Sequence, residues 1–408
     1  MPNRFALALA CVLATVSVAP ALAQDTPSEA SADDARIHLG ALALDPKIAL
    51  RDLGIDSNVY NETSSPHQDM TMRLVPAVDA WLRIGRATLS SKSTLSWSYF
   101  HRAAEQRSFD FGEEARVEVG LARVVPWIGG SYLQTRQRPN LEIDERVQQD
   151  ERTLGAGATF NKNERLEFDI DTTDRSLAFG KGEYGDPELA AALDRTELRV
   201  NAAVRYGLTP LTTFVVRTTA TSSTFDQATV RNSQSLSFVP GFEMQPAALI
   251  SGKGFLGVKR FTGDDVSLPD FTGLVSEVDV AYLMREFTRL NVRASRDLEY
   301  SIEDTHPYFV MTGGEVSVTQ GIGTVWDVIG RIGRTRLDYQ ALVRGTEEGD
   351  PVAGPREDRV FTYGMGIGRR LRSEIRIGID INHVQRSSVL DGHEYSGTRV
   401  GASITYGV

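Results

Sequence analysis

The last ten residues alternate strictly between apolar residues and polar residues or glycine, and this alternation constrains the fold more than any other feature of the chain. One face of an extended strand would carry Val400, Ala402, Ile404, Tyr406 and Val408. Because successive side chains of a strand point to opposite faces, this segment would present one face to an apolar medium and the other to water. A sheet edge cannot be left unpaired in lipid, so the pattern predicts the strand that closes a transmembrane β-barrel.

The same alternation recurs along the chain. The clearest example is the run Ile375, Ile377, Ile379 and Ile381, whose intervening residues are charged residues and glycine. A soluble β-sandwich would contain similar strands. Nine long polar segments that alternate with eight short turns predict instead an all-β, antiparallel, up-and-down barrel. We expect about 18 strands, with 16 as the main alternative, joined by short periplasmic turns and longer outer loops.

The start of the chain predicts export. Arg4 precedes an apolar run from Phe5 to Val18, and Ala21-Leu22-Ala23 provides the small residues of a cleavage site. We therefore expect a signal peptide at 1–23, a flexible periplasmic leader at 24–45 and a barrel at 46–408 in the outer membrane of a Gram-negative cell. The only cysteine, Cys11, lies in the signal peptide, so the mature chain has no disulfide and no thiolate metal ligand.

Composition and motifs argue against several other classes of protein. The net charge of −10 disfavours nucleic acid as a partner. The sequence has no Gly-x-Ser-x-Gly motif, and His393-Glu394 lacks the second histidine of a zinc-protease helix. A lipid-modifying enzyme would need a base and a nucleophile on the lipid face. His383 and Ser387 come nearest, but an interfacial histidine is the simpler interpretation. We expect no enzyme activity, no catalytic residue, no cofactor and no metal.

Charged residues on the polar faces of the strands are expected to line a water-filled bore. Both signs of charge occur there, which predicts a transverse field across the lumen. The candidate wall residues are Arg73, Asp79, Arg116, Glu118, Glu167, Asp169, Arg199, Arg205, Glu277, Asp279, Arg289, Arg293, Glu374, Arg376 and Asp380. The expected partners of the outer surface are membrane lipid and lipopolysaccharide, and the barrel-assembly machinery is expected to recognise the closing strand.

Several short segments resemble a known family. The stretch Leu39-Gly40-Ala41-Leu42-Ala43-Leu44-Asp45-Pro46-Lys47-Ile48-Ala49-Leu50 continues to Asp56-Ser57-Asn58-Val59-Tyr60. Two strands carry a central proline: Leu74-Val75-Pro76-Ala77-Val78 and Phe238-Val239-Pro240-Gly241-Phe242. In layout the mature chain resembles the putative β-barrel porin type 2 family of outer-membrane proteins. This resemblance implies an integral barrel, and such families are often associated with export of surface polysaccharide. The chain departs from the usual pattern at Val408, where closing strands more often end on an aromatic residue.

Three functions remain open at this point. The first is a channel for hydrophilic solutes or exported polysaccharide, with a periplasmic polysaccharide-export protein as a candidate partner. The second is a passive porin for small solutes, and the third is the lipid-modifying enzyme. A polymer conduit needs an open bore, whereas a porin needs a loop that folds inward and narrows it. The sequence names neither the solute, nor the direction of transport, nor the oligomeric state.

Overall fold

The computed structural model describes residues 32–163, 165–180, 187–285, 287–343, 354–372 and 374–407. The predicted signal peptide and Val408 lie outside these residues. Strands dominate the described chain, and the single α-helix among the described residues, α1 (Pro187–Leu193), lies between two of them. No helix in the described ranges is long and apolar enough to cross a membrane.

A short strand, β1 (Ile37–Leu39), precedes the strands of the barrel. The barrel strands are β2 (Leu42–Asp56), β3 (Asp69–Ile84), β4 (Ala87–Phe100), β5 (Ser108–Val119), β6 (Val124–Gln137), β7 (Val147–Asn163), β8 (Leu166–Phe179), β9 (Arg195–Thr209), β10 (Thr212–Phe225), β11 (Ser233–Met244), β12 (Ile250–Gly263), β13 (Phe271–Met284), β14 (Thr288–Tyr300), β15 (Tyr308–Ile322), β16 (Trp326–Gln340), β17 (Glu357–Arg372), β18 (Ile375–Ser387) and β19 (Tyr395–Tyr406). The first of them begins earlier than the boundary at residue 46 that the sequence suggested.

The sheet closes on itself. Every strand from β2 to β19 pairs antiparallel with its neighbours in the chain, and β19 pairs with β2. The closing register joins Arg399 to Asp56 at one end and Tyr406 to Ile48 at the other. The all-β fold, the up-and-down topology and the count of 18 barrel strands are therefore confirmed, with β1 as an additional strand that pairs with the start of β2.

The two faces of the closed sheet differ in polarity. Large apolar side chains such as Leu154 and Ile379 are 70% and 56% exposed on the outside. The residues between them face the bore and are mostly polar or charged. This is the arrangement that lets a strand border lipid on one side and water on the other.

Aromatic side chains divide between the two faces. Trp97, Tyr206 and Trp326 are exposed on the outside, where they suit an interfacial girdle. Trp127 faces the bore instead. There the guanidinium of the inward Arg116 lies 4.2 Å from the centre of its ring. An aromatic residue near a strand end therefore does not by itself indicate contact with the membrane interface.

Long loops pack together at one end of the barrel. Ile143 of the β6–β7 loop and Leu189 of α1 share a buried apolar cluster with Leu177 of β8. Arg231 of the β10–β11 loop is buried and donates hydrogen bonds to the carbonyl oxygens of Ala192 at 2.6 Å and Glu303 at 3.0 Å. The loops are thus an ordered layer over this end of the bore.

Candidate functional site

The bore carries most of the charged residues that the sequence suggested for its wall. Those on the inward face are Arg73, Asp79, Arg116, Glu118, Glu167, Asp169, Arg199, Arg205, Glu277, Asp279, Arg289, Arg293, Arg376 and Asp380. They alternate with outward apolar side chains, as Asp169 does with the exposed Phe168 and Ile170. Glu374 is the exception among the candidate wall residues. It lies in the turn before β18, 3.9 Å from Arg36, because this strand begins one residue later than its polar pattern suggests.

On the β7–β9 wall the charges neutralise one another. Arg205 forms ion pairs with Asp169 at 2.7 Å and with Glu243 of β11 at 2.6 Å. Arg175 contacts Glu151 through two nitrogen atoms at 2.7 and 2.8 Å. Two parallel guanidinium–carboxylate contacts hold both side chains in a fixed geometry. This part of the wall therefore presents little net charge to a solute.

Paired charges also cover the β12–β14 wall. Asp279 lies 3.4 Å from Arg293, which in turn lies 3.9 Å from Glu315. Glu277 contacts Lys253 and lies 3.6 Å from Arg217. Across the bore, Asp79 accepts a hydrogen bond from Lys47 at 2.6 Å. Each of these inward carboxylates has a cation beside it.

The loop between β6 and β7, residues 138–146, folds into the bore; we call it the inward loop. The backbone carbonyl of Glu142 accepts a hydrogen bond from Arg386 of β18 at 3.1 Å. Leu141 packs against a buried cluster that includes Phe309 of β15 and Leu337 of β16. In the strand order β15 and β16 lie about halfway round the ring from β6 and β7, and β18 lies about a third of the way round from β6. The inward loop therefore crosses the bore at the end that the long loops cover.

Buried polar contacts anchor the inward loop to the β14–β15 loop and to β18. The Glu142 carboxylate accepts hydrogen bonds from the Ser301 hydroxyl at 2.6 Å and from the backbone N–H of Ile302 at 3.0 Å. Asp144 forms an ion pair with Arg386 at 2.9 Å. Arg386 also contacts Asp358 of β17 at 2.7 Å, and both of these side chains are fully buried. These buried hydrogen bonds and ion pairs hold the inward loop in place.

The anchoring carboxylates have shifted acidities. Burial raises the pKa of Glu142 above its ordinary value, although hydrogen bonds from Ser301 and Ile302 oppose the shift. Burial also raises the pKa of Asp144, which Arg386 partly offsets. The protonated form of each acid is thus favoured in the anchored loop.

Five arginines gather where the inward loop meets β2 and β3, and of these only Arg399 lies within 4.0 Å of a carboxylate among the described residues, those of Asp56 and Asp52. Arg51 of β2 and Arg73 of β3 stand directly opposite each other in the strand register. A β-bulge follows Arg51, and Asp52 in that bulge has a φ of 54°. The bulge turns both Arg51 and Asp52 toward the bore, where they line one pocket.

The inward loop contributes two more arginines to this group. Arg138 donates to the carbonyl oxygens of Val59 at 2.8 Å and Asp144 at 2.5 Å. Arg146 lies over the ring of Phe100, with its centre 4.6 Å away. Burial, with repulsion from Arg138, Arg399 and Arg73, lowers the pKa of Arg146 to about 9. We call Arg51, Arg73, Arg138, Arg146 and Arg399 the arginine cluster.

The pocket beside the arginine cluster continues along the β16–β19 wall. Here Arg376 binds Asp327 through contacts of 2.6 to 3.1 Å, and Arg331 lies 3.5 Å from Asp380. Arg370 also lines this pocket. Beside this pocket, Gly366 and Gly368 of β17 have no room for a side chain. An added Cβ would lie 2.2 Å from Asp380 at the first position and 2.2 Å from Arg376 at the second. These inward glycines leave room for the charged side chains of β18.

Sequence reasoning found Arg73 but missed the rest of the arginine cluster. Arg138 and Arg146 lie in a polar segment that was interpreted as an ordinary outer loop, and the bulge at Arg51 breaks the alternation that assigns faces. The density of arginine between 136 and 152 was the available signal. Within the described ranges, no group of three histidine, cysteine or acidic side chains is placed to hold a metal ion.

The chain matches one family model and is similar to several solved structures. The model of the family described as Putative beta-barrel porin 2 matches residues 33–407. No curated protein matches the sequence. Similar solved structures include the outer membrane protein OpdK from Pseudomonas aeruginosa (TM-score 0.49, 9% identity, 89% of this chain and 98% of that chain). Others are OccK3 (OpdO) from Pseudomonas aeruginosa (0.48, 10%, 89% and 95%) and the FrpB iron transporter from Neisseria meningitidis (0.43, 8%, 84% and 62%).

Proposed function

We propose that this chain, which belongs to the putative beta-barrel porin 2 family, is an outer-membrane channel for the passive diffusion of small hydrophilic solutes. The family and the closed barrel support location in the outer membrane, because an apolar outer wall around a polar bore suits a sheet that spans lipid. Diffusion through a polar bore needs no catalytic group, and the wall provides paired charges rather than a nucleophile with a base.

The observation that carries this proposal is the inward loop. A barrel of 18 strands has a backbone radius of roughly 18 Å, given strands about 4.8 Å apart and tilted by about 40°. Such a bore would admit a polymer if nothing entered it. The inward loop crosses it and is fixed to the β14–β15 loop and to β18 through Glu142 and Asp144. A fixed loop across the bore favours a size-limited pore over a conduit for polysaccharide.

The size limit can be measured by swelling of liposomes that contain the purified protein. We expect rapid entry of monosaccharides, slow entry of tetrasaccharides and exclusion of dextrans. A variant whose residues 139–145 are replaced by a short Gly-Ser linker should have a larger single-channel conductance and admit the longer sugars.

The matched control shortens the exposed turn at 389–392 between β18 and β19, where Val389 is 65% exposed. This change leaves the inward loop in place and should leave the size limit unchanged. Entry of dextrans into liposomes with the unaltered protein would contradict the proposal and favour the polysaccharide conduit. Absence of any conductance would contradict both.

A further inference from the structure

We propose that the arginine cluster is a binding site for an oxyanion, the carboxylate or phosphate group of a small solute on its way through the bore. This inference rests on the proposed function and deepens it, because it assigns a chemical class to the solute. Guanidinium groups present planar forks of N–H donors that match the oxygens of carboxylates and phosphates.

The first argument is the direct opposition of Arg51 and Arg73. Side chains at opposed positions of antiparallel strands have their Cβ atoms about 5 Å apart, and like charges there are destabilising. The register of β2 and β3 places the two arginines in this relation on the inward face. A fold that keeps two repelling cations together gains nothing in stability from the pair, whereas an anion between them would remove the repulsion.

The second argument is the contrast with the rest of the bore. Arg175 and Arg205 on the β7–β9 wall each contact two carboxylates. In the part of the chain that the structure describes, no carboxylate lies within 4.0 Å of Arg51, Arg73, Arg138 or Arg146. Arg73 donates instead to the neutral side chain of Gln137 at 3.2 Å. The positive charge of these four arginines is therefore not neutralised in the way that it is on the β7–β9 wall.

The third argument is that the side chain of Arg146 is buried and incompletely hydrogen-bonded. Its Nε and Nη1 atoms are inaccessible to solvent and have no hydrogen-bond partner among the described residues. A buried donor without a partner costs free energy that an acceptor would recover. The neighbouring guanidiniums of Arg138, Arg399 and Arg73 all disfavour its charge. An anion supplies both the missing acceptor and the missing negative charge.

The arginines of the cluster come from two facing parts of the molecule. Arg138 and Arg146 belong to the inward loop, whereas Arg51, Arg73 and Arg399 belong to the wall that faces it. Arg399 is held by Asp56 at 2.6 Å, and it also lines the pocket that extends toward Arg370. The cluster and the pocket are therefore neighbours along the wall that faces the inward loop.

The test compares Arg73→Gln and Arg146→Gln with Arg199→Gln in planar bilayers. Arg199 faces the same bore from β9, 4.0 Å from Glu197, so its replacement removes the same charge outside the cluster. Reversal potentials in a KCl gradient report anion preference. Concentration-dependent block of the current by benzoate and by inorganic phosphate reports binding, and chloride alone serves as the reference anion.

We expect each cluster variant to weaken block by roughly tenfold, the loss typical of one hydrogen bond to a charged group, and to lower anion preference. Arg199→Gln should change block by less than about twofold. Block by benzoate alone would identify organic carboxylates, and block by phosphate alone would identify phosphorylated solutes. Equal effects of all three variants, or no block in the unaltered protein, would overturn the site while leaving the conductance of the proposed pore intact.

Folding provides a second readout. Arg73→Gln relieves the repulsion with Arg51, so the folded protein should be as stable as the parent or more stable. A purely structural arginine would give the opposite result. Loss of the heat-resistant folded form in Arg73→Gln would therefore count against a binding role for this residue.

Discussion

One residue on the outer face of the barrel, Glu113, is charged although the residues around it on that face are apolar. Glu113 of β5 lies on the same face as Phe109 and Val117, which are 63% and 38% exposed. Its carboxylate accepts hydrogen bonds from the hydroxyls of Ser91, at 2.6 Å, and Ser93, both on β4. A charge on a lipid-facing wall is costly, and the two serines reduce that cost by satisfying the carboxylate oxygens.

This arrangement predicts the outcome of a double-mutant cycle. Replacing Ser91 and Ser93 by alanine should lower the free energy of unfolding by about 1–3 kcal/mol, because an unsatisfied carboxylate remains on the apolar face. In a Glu113→Leu background the same two replacements should cost less than about 0.5 kcal/mol. Urea unfolding in detergent or lipid vesicles measures both values. An equal cost in the two backgrounds would show that the serines do not serve Glu113.

For single residues, alternation in the sequence predicts which face of the sheet a side chain occupies. It does not predict which other residues that side chain contacts. Alternation placed Asp169 and Arg205 on the inward face, and they are there. Nothing in the alternation distinguishes Arg205, which has two carboxylate partners, from Arg73, which has none, because the partner depends on register between strands. The bulge at Asp52 shifts the faces of β2 by one position, and period-two reasoning has no means to detect such a shift.

The inward loop is the element whose behaviour depends most on pH. The pKa values of Glu142 and Asp144 are raised in the anchored loop. An acid with a raised pKa favours the anchored state when it is protonated, and this contribution is lost as the pH rises through the raised pKa. Acidification from neutral pH toward about 4.5, the ordinary pKa of glutamate, should therefore tighten the anchorage. We expect the conductance to be lower and steadier at the acid end.

Glu142→Gln provides the matched variant for this prediction. Glutamine keeps an oxygen that can accept hydrogen bonds from Ser301 and Ile302 but cannot titrate. The variant should show a weaker dependence of conductance and of current noise on pH between about 4.5 and 7.5. An increase of conductance on acidification, or an unchanged pH dependence in the variant, would assign the anchorage to other groups.

The inward fold of this loop was beyond sequence reasoning for a physical reason. Residues 138–146 are polar, and polar segments between strands suit either solvent or a wet bore. What fixes the loop inside is a set of partners far away in the chain, such as Ser301 and Arg386. Each partner is ordinary in its own strand or loop, so no local pattern marks it.

The architecture of the whole molecule was easier to predict from the sequence than the side-chain contacts or the inward loop. Fold class and strand number follow from a repeated local signal and from the requirement that a sheet in lipid has no free edge. Closure joins the last strand of the barrel to the first, because β19 pairs with β2 from Arg399 to Tyr406. A single long-range pairing of this kind decides whether 18 strands form a barrel or an open sheet.

Removal of residues 404–408 tests closure directly. It deletes the pairs of Ile404 with Leu50, Thr405 with Ala49 and Tyr406 with Ile48, which leaves part of the β2 edge unpaired in lipid. The matched control removes residues 33–39, since β1 pairs with β2 outside the closed ring. We expect the first variant to lose the folded band that migrates faster on gels before heating, and the control to keep most of it. Normal membrane levels of the heat-modifiable form in the 404–408 deletion would show that this segment is not needed to seal the barrel.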